Sequence, residues 1–184
     1  ELGRIAYYRP DALPKGFTAE LVVTRHYTQR DYPFIFTNGV QASYVEVDTE
    51  TGFVKLLKHW AVEDCGRVIN PMLVDEQIRG AIVQGIGGAL FEECLYDNAG
   101  LMTNGSMADY LVPMAGEMPD IVVAHIETPT LSSVLGAKGA GEAGTAGAPG
   151  AVVNAINDAL RPLKAEVWSQ PVTPEKILRA LELI

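Results

Sequence analysis

The chain contains 184 residues, enough for one domain with a substantial hydrophobic core. Hydrophobic residues make up 48% of it, which excludes the composition of a disordered tail. The 14 Lys and Arg residues are outnumbered by 23 Asp and Glu residues, and the net charge of −9 argues against binding to nucleic-acid phosphates. We therefore expect a single domain over residues 1–184 with no nucleic-acid partner.

The cysteine content indicates a reducing compartment. Cys65 and Cys94 form no CxxC pair, and two cysteines support neither a disulfide framework nor an iron–sulfur cluster. No apolar run approaches the roughly 18 residues that a membrane-spanning helix needs. The chain begins with Glu1 rather than Met and shows no signal peptide, so we expect a piece of a longer protein or a processed product. A cytoplasmic protein without a membrane span is the expectation.

The first forty residues give mixed signals, and the pattern of a β-hairpin follows them. Residues 21–24 form a run rich in β-branched side chains, and RDYPF at 30–34 has the composition of a turn or loop. Residues 42–62 contain alternating polar and apolar side chains around the turn signal DTETG at 48–52. This pattern is typical of a β-hairpin.

Apolar residues then recur at helical spacing between residues 71 and 95. Asn70 is suited to the N-cap and Pro71 to the first position of this predicted helix. Each glycine in a helix interior costs about 1 kcal/mol relative to alanine. The helix contains four of them, Gly80, Gly85, Gly87 and Gly88. We therefore expect close packing against this backbone, either by a ligand or by another helix or the sheet.

The second half of the chain mixes helix and strand signals. The turn signals of residues 96–113 are followed by a predicted strand at 121–129. Pro149 is predicted to open a helix that reaches Leu160, AEVW at 165–168 reads as a strand, and a last helix is predicted from Pro174. Because strands and helices do not alternate regularly, the sequence predicts an α+β fold, with mixed or antiparallel strands and packed helices.

The hexapeptide GAGEAG at 139–144 matches the dinucleotide-binding pattern GxGxxG. That fingerprint requires a buried strand directly before it and a helix that opens at it. The preceding TLSSVLGAK is a poor strand, and the predicted helix opens several residues too late. Glu166 lies at an approximate distance for the acid that binds ribose, which is weak support. A dinucleotide-binding domain is therefore a minor alternative.

Side-chain metal ligation is not predicted. His26, His59 and His125 are scattered and form neither an HxxxH nor an HExxH pair. Cys65 has no activating base nearby in sequence, so a buried structural thiol is the better interpretation than a nucleophile.

Glu142 is the only acidic residue in the Gly- and Ala-rich stretch 135–151. Glycine lets a backbone approach a bulky ligand because no Cβ intervenes. A lone carboxylate held against such a ligand suits a general base. The alternative is a solvated charge on a surface loop, and the residue chemistry alone leaves both interpretations open.

Seven motifs occur in a characteristic order: VEVDTETG, AVEDCGRVINP, GAIVQGIGGALFEE, GSMADYLVP, HIETPT, GAKGAGEAG and NAINDAL. This order resembles the C-terminal part of the molybdenum-binding subunit of the xanthine dehydrogenase/aldehyde oxidase family, which includes the aerobic CO dehydrogenases. The resemblance extends from about residue 33 to the last helix. It implies the fold of the second molybdopterin-binding domain of these molybdenum hydroxylases.

The resemblance also implies an activity. Enzymes of this family hydroxylate an aldehyde or N-heterocycle carbon with oxygen from water, and a pterin rather than the protein holds the molybdenum. Glu142 coincides with the glutamate that acts as the family's general base. Gln84 and Gly85 coincide with a motif whose glutamine hydrogen-bonds the pterin. Lys138, Gly139, Ala140 and Gly141 coincide with the loop that lies against the cofactor, although the Lys138 side chain could be an exposed loop charge.

Cofactors and partners follow from the same resemblance. The expected cofactor is a molybdenum–molybdopterin, in the cytosine dinucleotide form, with FAD and 2Fe-2S centres on partner subunits or domains. The family's subunit is several times longer, and its N-terminal part contributes further pterin contacts and the pocket for the small-molecule substrate. We therefore expect this chain to be inactive alone. The alternative is a non-catalytic assembly module that docks onto that N-terminal half.

Overall fold

The computed structural model describes residues 1–28 and 34–184, which belong to two compact units, 1–31 and 32–184. The first unit contains helix α1, Leu2–Tyr8, followed by a 3₁₀ turn. The strand predicted at 21–24 is wrong, because these residues have no strand partner in the described part of the chain and are exposed. Most of the turn predicted at 30–34 lies outside the described residues. The single-domain expectation stays a prediction.

A three-stranded mixed sheet forms the second unit's framework. Strands β1, Asn38–Val47, and β2, Val54–Asp64, pair antiparallel, and β3, Ile121–His125, pairs parallel with the other edge of β2. Gly52 completes the turn between β1 and β2 with a φ of 75°, a conformation that favours glycine. The predicted hairpin is therefore confirmed, and the strand predicted at 121–129 is four residues shorter than expected.

Two helices begin where the sequence predicts. Helix α2 runs from Pro71 to Leu90, and the Asn70 side chain accepts a hydrogen bond from the Leu73 N–H. Helix α4, Pro174–Ala180, is capped by Thr173 in the same way. Helix α2 ends five residues before the predicted end, because the backbone leaves the helical conformation at the residue after Leu90.

Helix α3 runs from Ala143 to Leu160 and so begins six residues before Pro149. Proline favours the first turn of a helix, and this preference makes Pro149 a misleading start signal. The residues before it are helical because their small side chains let the first turn pack tightly on α2. A Cβ on Gly144 would lie 2.6 Å from the Ile78 carbonyl oxygen and 2.8 Å from the Ile82 nitrogen.

The strand predicted at 165–168 is also absent. The Asn157 side chain occupies both backbone polar groups of Val167, accepting from its N–H at 2.8 Å and donating to its carbonyl at 3.0 Å. A side chain of α3 therefore satisfies this segment in place of a neighbouring strand.

The hydrophobic core lies between the sheet and the helices. Its largest fully buried apolar side chains are Ile78, Ile82, Ile86, Val152, Ile156, Leu160 and Ile177. The expected close packing occurs at Gly85, whose Cβ would lie 2.8 Å from the Ala148 Cβ of α3, whereas Gly80 and Gly88 face open space. A neighbouring helix thus accounts for Gly85. None of the helices in the described ranges is long and apolar enough to cross a membrane.

The α2–α3 contact can be tested by adding one methyl group. We expect Gly144→Ala to destabilise the chain by about 1–3 kcal/mol, because the new Cβ meets backbone atoms that have to shift. Gly150→Ala is the matched control in the same helix, since nothing lies within 4 Å of its Cβ position and alanine is the better helix former. Urea denaturation measures both variants, and equal midpoints for the two would contradict the contact.

Candidate functional site

A cavity of about 580 Å³ lies beside the N-terminus of α3. One wall is the segment 35–39 at the start of β1, with Gln41 further along that strand. Glu63 from the end of β2 contributes a buried carboxyl group, and the opposite wall is formed by residues 139–143. The glycine-rich loop and its glutamate therefore line a concave site of the size that small molecules occupy.

Glu142 is the N-cap residue of α3. Its side chain makes no capping hydrogen bond, and the residue is exposed at the cavity. Among the described residues, no cation or hydrogen-bond donor is paired with its carboxylate. The carboxylate is therefore available to a molecule bound in the cavity.

The loop before α3 also presents unpaired backbone donors. The Lys138 N–H donates to the Cys65 carbonyl at 2.7 Å, and the Gly139 N–H donates to the Ile35 carbonyl at 3.0 Å. The N–H groups of the next three residues, 140–142, have no acceptor in the parts of the chain that the structure describes. Since these donors lie next to a helix N-terminus, they favour an anionic or carbonyl oxygen.

Lys138 does not line the cavity. Its ammonium group lies 3.2 Å from Asp64 Oδ1, and the two side chains are only 13% and 9% exposed. The interpretation of Lys138 as an exposed loop charge is therefore wrong. Hydrogen bonds from Thr128, from the Gly66 N–H and from Lys138 hold the pKa of Asp64 well below its usual range. This ion pair attaches the start of the loop to the end of β2.

Gln84 and Gly85 lie on α2, outside the cavity lining. Gln84 is exposed, and its Oε1 lies 3.4 Å from the Thr145 hydroxyl of α3. Gly85 is buried against α3 at Ala148, so its backbone is covered by protein. The structure therefore groups residues 139–142 at the cavity and places Gln84 and Gly85 in the α2–α3 contact, outside the cavity lining. The cofactor roles of all these residues stay predictions.

A buried polar network behind the cavity escaped the sequence prediction. Gln41 donates to Glu63 Oε1 at 3.1 Å, its Oε1 pairs with His59 Nε2 at 3.2 Å, and His59 Nδ1 pairs with the Ser43 hydroxyl at 2.8 Å. Burial raises the pKa of Glu63, which Gln41 partly offsets, and burial lowers the pKa of His59. The sequence signal that could have revealed this network lies on the inward face of β1, where the polar Gln41 and Ser43 precede Val45 and Val47.

The dinucleotide-binding alternative requires a strand before GxGxxG and a helix that opens at it, and the structure contains only the helix. Helix α3 opens inside the motif, at Ala143, so the objection that the helix starts too late is wrong. The required strand is missing from this part of the described chain, where Ala137 makes only an isolated bridge with Gly66.

Within residues 1–28 and 34–184, no group of three or more His, Cys, Asp or Glu side chains could hold a metal ion.

A family model described as a molybdopterin cofactor-binding domain matches residues 3–119. The chain belongs to this family. It corresponds to a molybdopterin-binding portion of the xanthine dehydrogenase/aldehyde oxidase family of oxidoreductases, so the resemblance and the α+β fold class are confirmed. The matched range includes Gln84 and ends before Glu142. It also begins about thirty residues before the expected start of the similarity.

Known proteins extend the similarity over nearly the whole chain. The large subunit of nicotine 6-hydroxylase from Paenarthrobacter nicotinovorans is 45% identical over 181 residues, which cover 98% of this chain and 22% of that subunit. The large chain of carbon monoxide dehydrogenase from Hydrogenophaga pseudoflava is 28% identical over 177 residues, 96% of this chain and 21% of the relative. This chain spans about a fifth of the length of these relatives.

Solved structures show the same fold. Quinoline 2-oxidoreductase from Pseudomonas putida 86 superposes with a TM-score of 0.80 at 42% identity, covering 97% of this chain and 22% of that one. The reconstituted CO dehydrogenase from Oligotropha carboxidovorans superposes with a TM-score of 0.78 at 28% identity, covering 99% of this chain and 22% of that one. The sheet and helices described above are therefore those of the molybdenum hydroxylases.

The Lys138–Asp64 attachment predicts a pH-dependent stability. Because the folded-state pKa of Asp64 is lowered, its ionised form stabilises the fold above the unfolded pKa of about 3.9, and this contribution is lost progressively as pH falls below that value. We expect Asp64→Asn to lower the urea midpoint at pH 7, by a difference that narrows as pH falls from about 5 to 2.

The matched control is Asp158→Asn, which removes an exposed ion pair with Arg161. Exposed pairs contribute little to stability, so its urea midpoint should stay close to that of the unaltered chain throughout this pH range. A gap between Asp64→Asn and the unaltered chain that is as wide at pH 2 as at pH 7 would show that the carboxylate charge is not what stabilises this site.

Proposed function

We propose that this chain supplies the cofactor-contacting loop and the general base of a molybdenum hydroxylase that acts on an aldehyde or N-heterocycle carbon. The observation that carries the proposal is the position of Glu142 at the cavity, where neither its carboxylate nor the adjacent backbone donors have a partner among the described residues. Family membership supports the cofactor class. The 45% identity to a nicotine 6-hydroxylase subunit supports hydroxylation of an N-heterocycle.

The cavity residues fit a molybdenum pterin in two respects. The backbone at 139–141 carries no side chain larger than a methyl group, so a rigid ring system can approach its N–H groups closely. The described residues contain no cluster of side chains that could ligate a metal, which suits a metal held by a pterin rather than by the protein. When bound, this group would supply the redox centre for hydroxylation with oxygen from water.

The chain's own residues then have distinct tasks. The N–H groups of 140–142 would bind acceptor oxygens of the cofactor, and Lys138 would hold the loop in place through Asp64. The Glu142 carboxylate would accept the proton that is released when water-derived oxygen adds to the substrate. Gln84 would contact the pterin from α2.

The remaining cofactors and partners follow the family. We propose the cytosine dinucleotide form of the pterin, with FAD and 2Fe-2S centres on partner subunits that receive the electrons. Relatives described as large subunits or large chains support such a complex. A cytoplasmic location agrees with the reducing compartment that the cysteine content indicates.

The base role is tested by Glu142→Gln in the complete enzyme. We expect the variant to retain molybdenum and to lose nearly all turnover, at least about a hundredfold, because the amide cannot accept the proton. Metal analysis and steady-state kinetics measure the two quantities. Glu166→Gln is the control, since this exposed glutamate lies outside the cavity. Full turnover in Glu142→Gln would remove Glu142 from the mechanism.

A second function, assembly, is favoured by the outer face of the sheet. This outer sheet face consists of Val40, Ala42, Tyr44, Trp60, Val62, Val122 and Ala124. Val40 is 75% exposed and Tyr44 59% exposed, although cross-strand pairing places them in one apolar surface with Trp60 and Val62. Contiguous exposed apolar surface of this kind marks interaction sites.

We propose that the occupant of the outer sheet face is the polypeptide equivalent to the rest of the relatives' large subunit. In quinoline 2-oxidoreductase the equivalent of this fold is 22% of a much longer chain, so most of that chain is available to cover such a face. The isolated chain would then be a non-catalytic assembly module. Lys58, the cross-strand partner of Tyr44, lies on the same face with its ammonium group 5.6 Å from the centre of the Trp60 ring.

Docking can be measured with a defined partner, the nicotine 6-hydroxylase large subunit from which the region equivalent to this chain has been removed. We expect Val40→Lys to weaken its binding at least about tenfold, because it places a charge in the apolar contact. Leu183→Lys, at another exposed apolar position, is the control and should bind normally. Unchanged binding by Val40→Lys would exclude the outer sheet face as the docking site.

A further inference from the structure

Two glutamine side chains from different elements bind the carbonyl groups on either side of Glu142. Gln77 of α2 donates from Nε2 to the Gly141 carbonyl at 2.8 Å. Gln41 of β1 donates from Nε2 to the Gly144 carbonyl at 3.0 Å and to the Ala143 carbonyl at 3.4 Å. These contacts join the loop to both the helix layer and the sheet, one before the glutamate and one after it.

Because a peptide group is planar, a hydrogen bond to its carbonyl also fixes the direction of its N–H group. In a trans peptide the C=O and N–H groups point in opposite directions within one plane. The Gly141 carbonyl shares its plane with the Glu142 N–H, so the bond from Gln77 directs that N–H away from α2. The Gly144 carbonyl shares its plane with the Thr145 N–H, which Gln41 orients in the same manner. Gln77 therefore fixes the peptide plane that carries the Glu142 N–H, and Gln41 fixes a plane in the first turn of α3, directly after Glu142.

The Gln41 amide is held in a single orientation. A Cβ on Gly147 would lie 2.9 Å from Gln41 Cδ, so this glycine provides the space in which the amide lies. Gln41 Oε1 pairs with His59 Nε2, and its Nε2 faces Glu63 Oε1. With its amide oxygen and nitrogen both engaged, Gln41 has little freedom to rotate away from α3.

We propose that Gln77 and Gln41 are positioning residues that hold the Glu142 carboxylate and its neighbouring N–H groups in the orientation the reaction requires. The inference rests on the proposed function for its kinetic consequence. Its structural content, a loop restrained by two side-chain amides, is independent of which reaction occurs. Displacing a catalytic group by about 1 Å costs on the order of a hundredfold in rate. Loss of either hydrogen bond should therefore lower kcat while changing KM much less.

The test uses the complete enzyme and substitutions at exposed Gln77 that separate shape from hydrogen bonding. Gln77→Glu keeps the shape but replaces the donor with a carboxylate, which repels the Gly141 carbonyl. Gln77→Lys keeps a donor. We expect Gln77→Glu to lower kcat about tenfold to a hundredfold with KM changed less than about twofold, and Gln77→Lys to recover most of that loss. Glu76→Gln, the adjacent exposed position on α2, is the control.

Hydrogen exchange of the same enzymes, followed by mass spectrometry, reports the restraint without reference to activity. We expect Gln77→Glu to accelerate exchange in peptides covering 139–147 and to leave β1 and β2 unchanged, with Gln77→Lys restoring the slow exchange. A loop that exchanges equally slowly in Gln77→Glu would overturn the inference. So would faster exchange that Gln77→Lys fails to reverse, because the donor would then be irrelevant.

The two proposals fail in different ways. If Glu142→Gln retains full turnover while Gln77→Glu loosens the loop, the proposed base is wrong and the restraint by the glutamines stands. If Glu142→Gln loses turnover while Gln77→Glu exchanges normally with an unchanged kcat, the base stands and the positioning role is excluded. Gln41→Leu provides a second measurement on the sheet side, with exchange of 139–147 as its readout.

Discussion

The close contact between α2 and α3 is the constraint on which the rest of the site depends. Gly144 lies against the backbone of Ile78 and Ile82 with no room for a side chain, and the Thr145 hydroxyl donates to the Ala81 carbonyl. This contact determines where α3 starts, and the start of α3 determines the position of Glu142. The small residues of the GAGEAG motif thus allow helix packing after the glutamate and line the cavity before it.

Two neighbouring carboxyl groups on β2, those of Asp64 and Glu63, favour opposite protonation states because their partners and burial differ. Asp64 receives hydrogen bonds from two backbone N–H groups and an ion pair with Lys138, so its charged form is favoured. Glu63 is 2% exposed and receives one hydrogen bond from Gln41, so burial dominates and favours its neutral form. Asp64 anchors the loop, whereas Glu63 lies buried in the cavity wall beside Gln41.

Local signals predicted the elements that local interactions stabilise. Asn70 caps α2 as expected, α4 begins at Pro174 as expected, and the DTETG turn closes the hairpin. A cap or a tight turn is satisfied by residues a few positions away, so local sequence predicts it. The segments 21–24 and 165–168 have strand-like compositions but no strand partner in the described chain. A strand depends on backbone groups far away in sequence, so composition alone could not decide these two.

The sequence by itself determined the family, the fold class and the loop that carries Glu142, because the order of motifs and the run of small residues can be read directly from the sequence. Only the tertiary structure decided that Lys138 is paired with Asp64, that α3 opens at Ala143, and that Gln41 and Gln77 reach the same loop from opposite layers. The physical reason is sequence distance. Gln77 and Gly141 are 64 positions apart and Gln41 and Gly144 are 103 apart, so only the packing of α3 between sheet and helix brings them together.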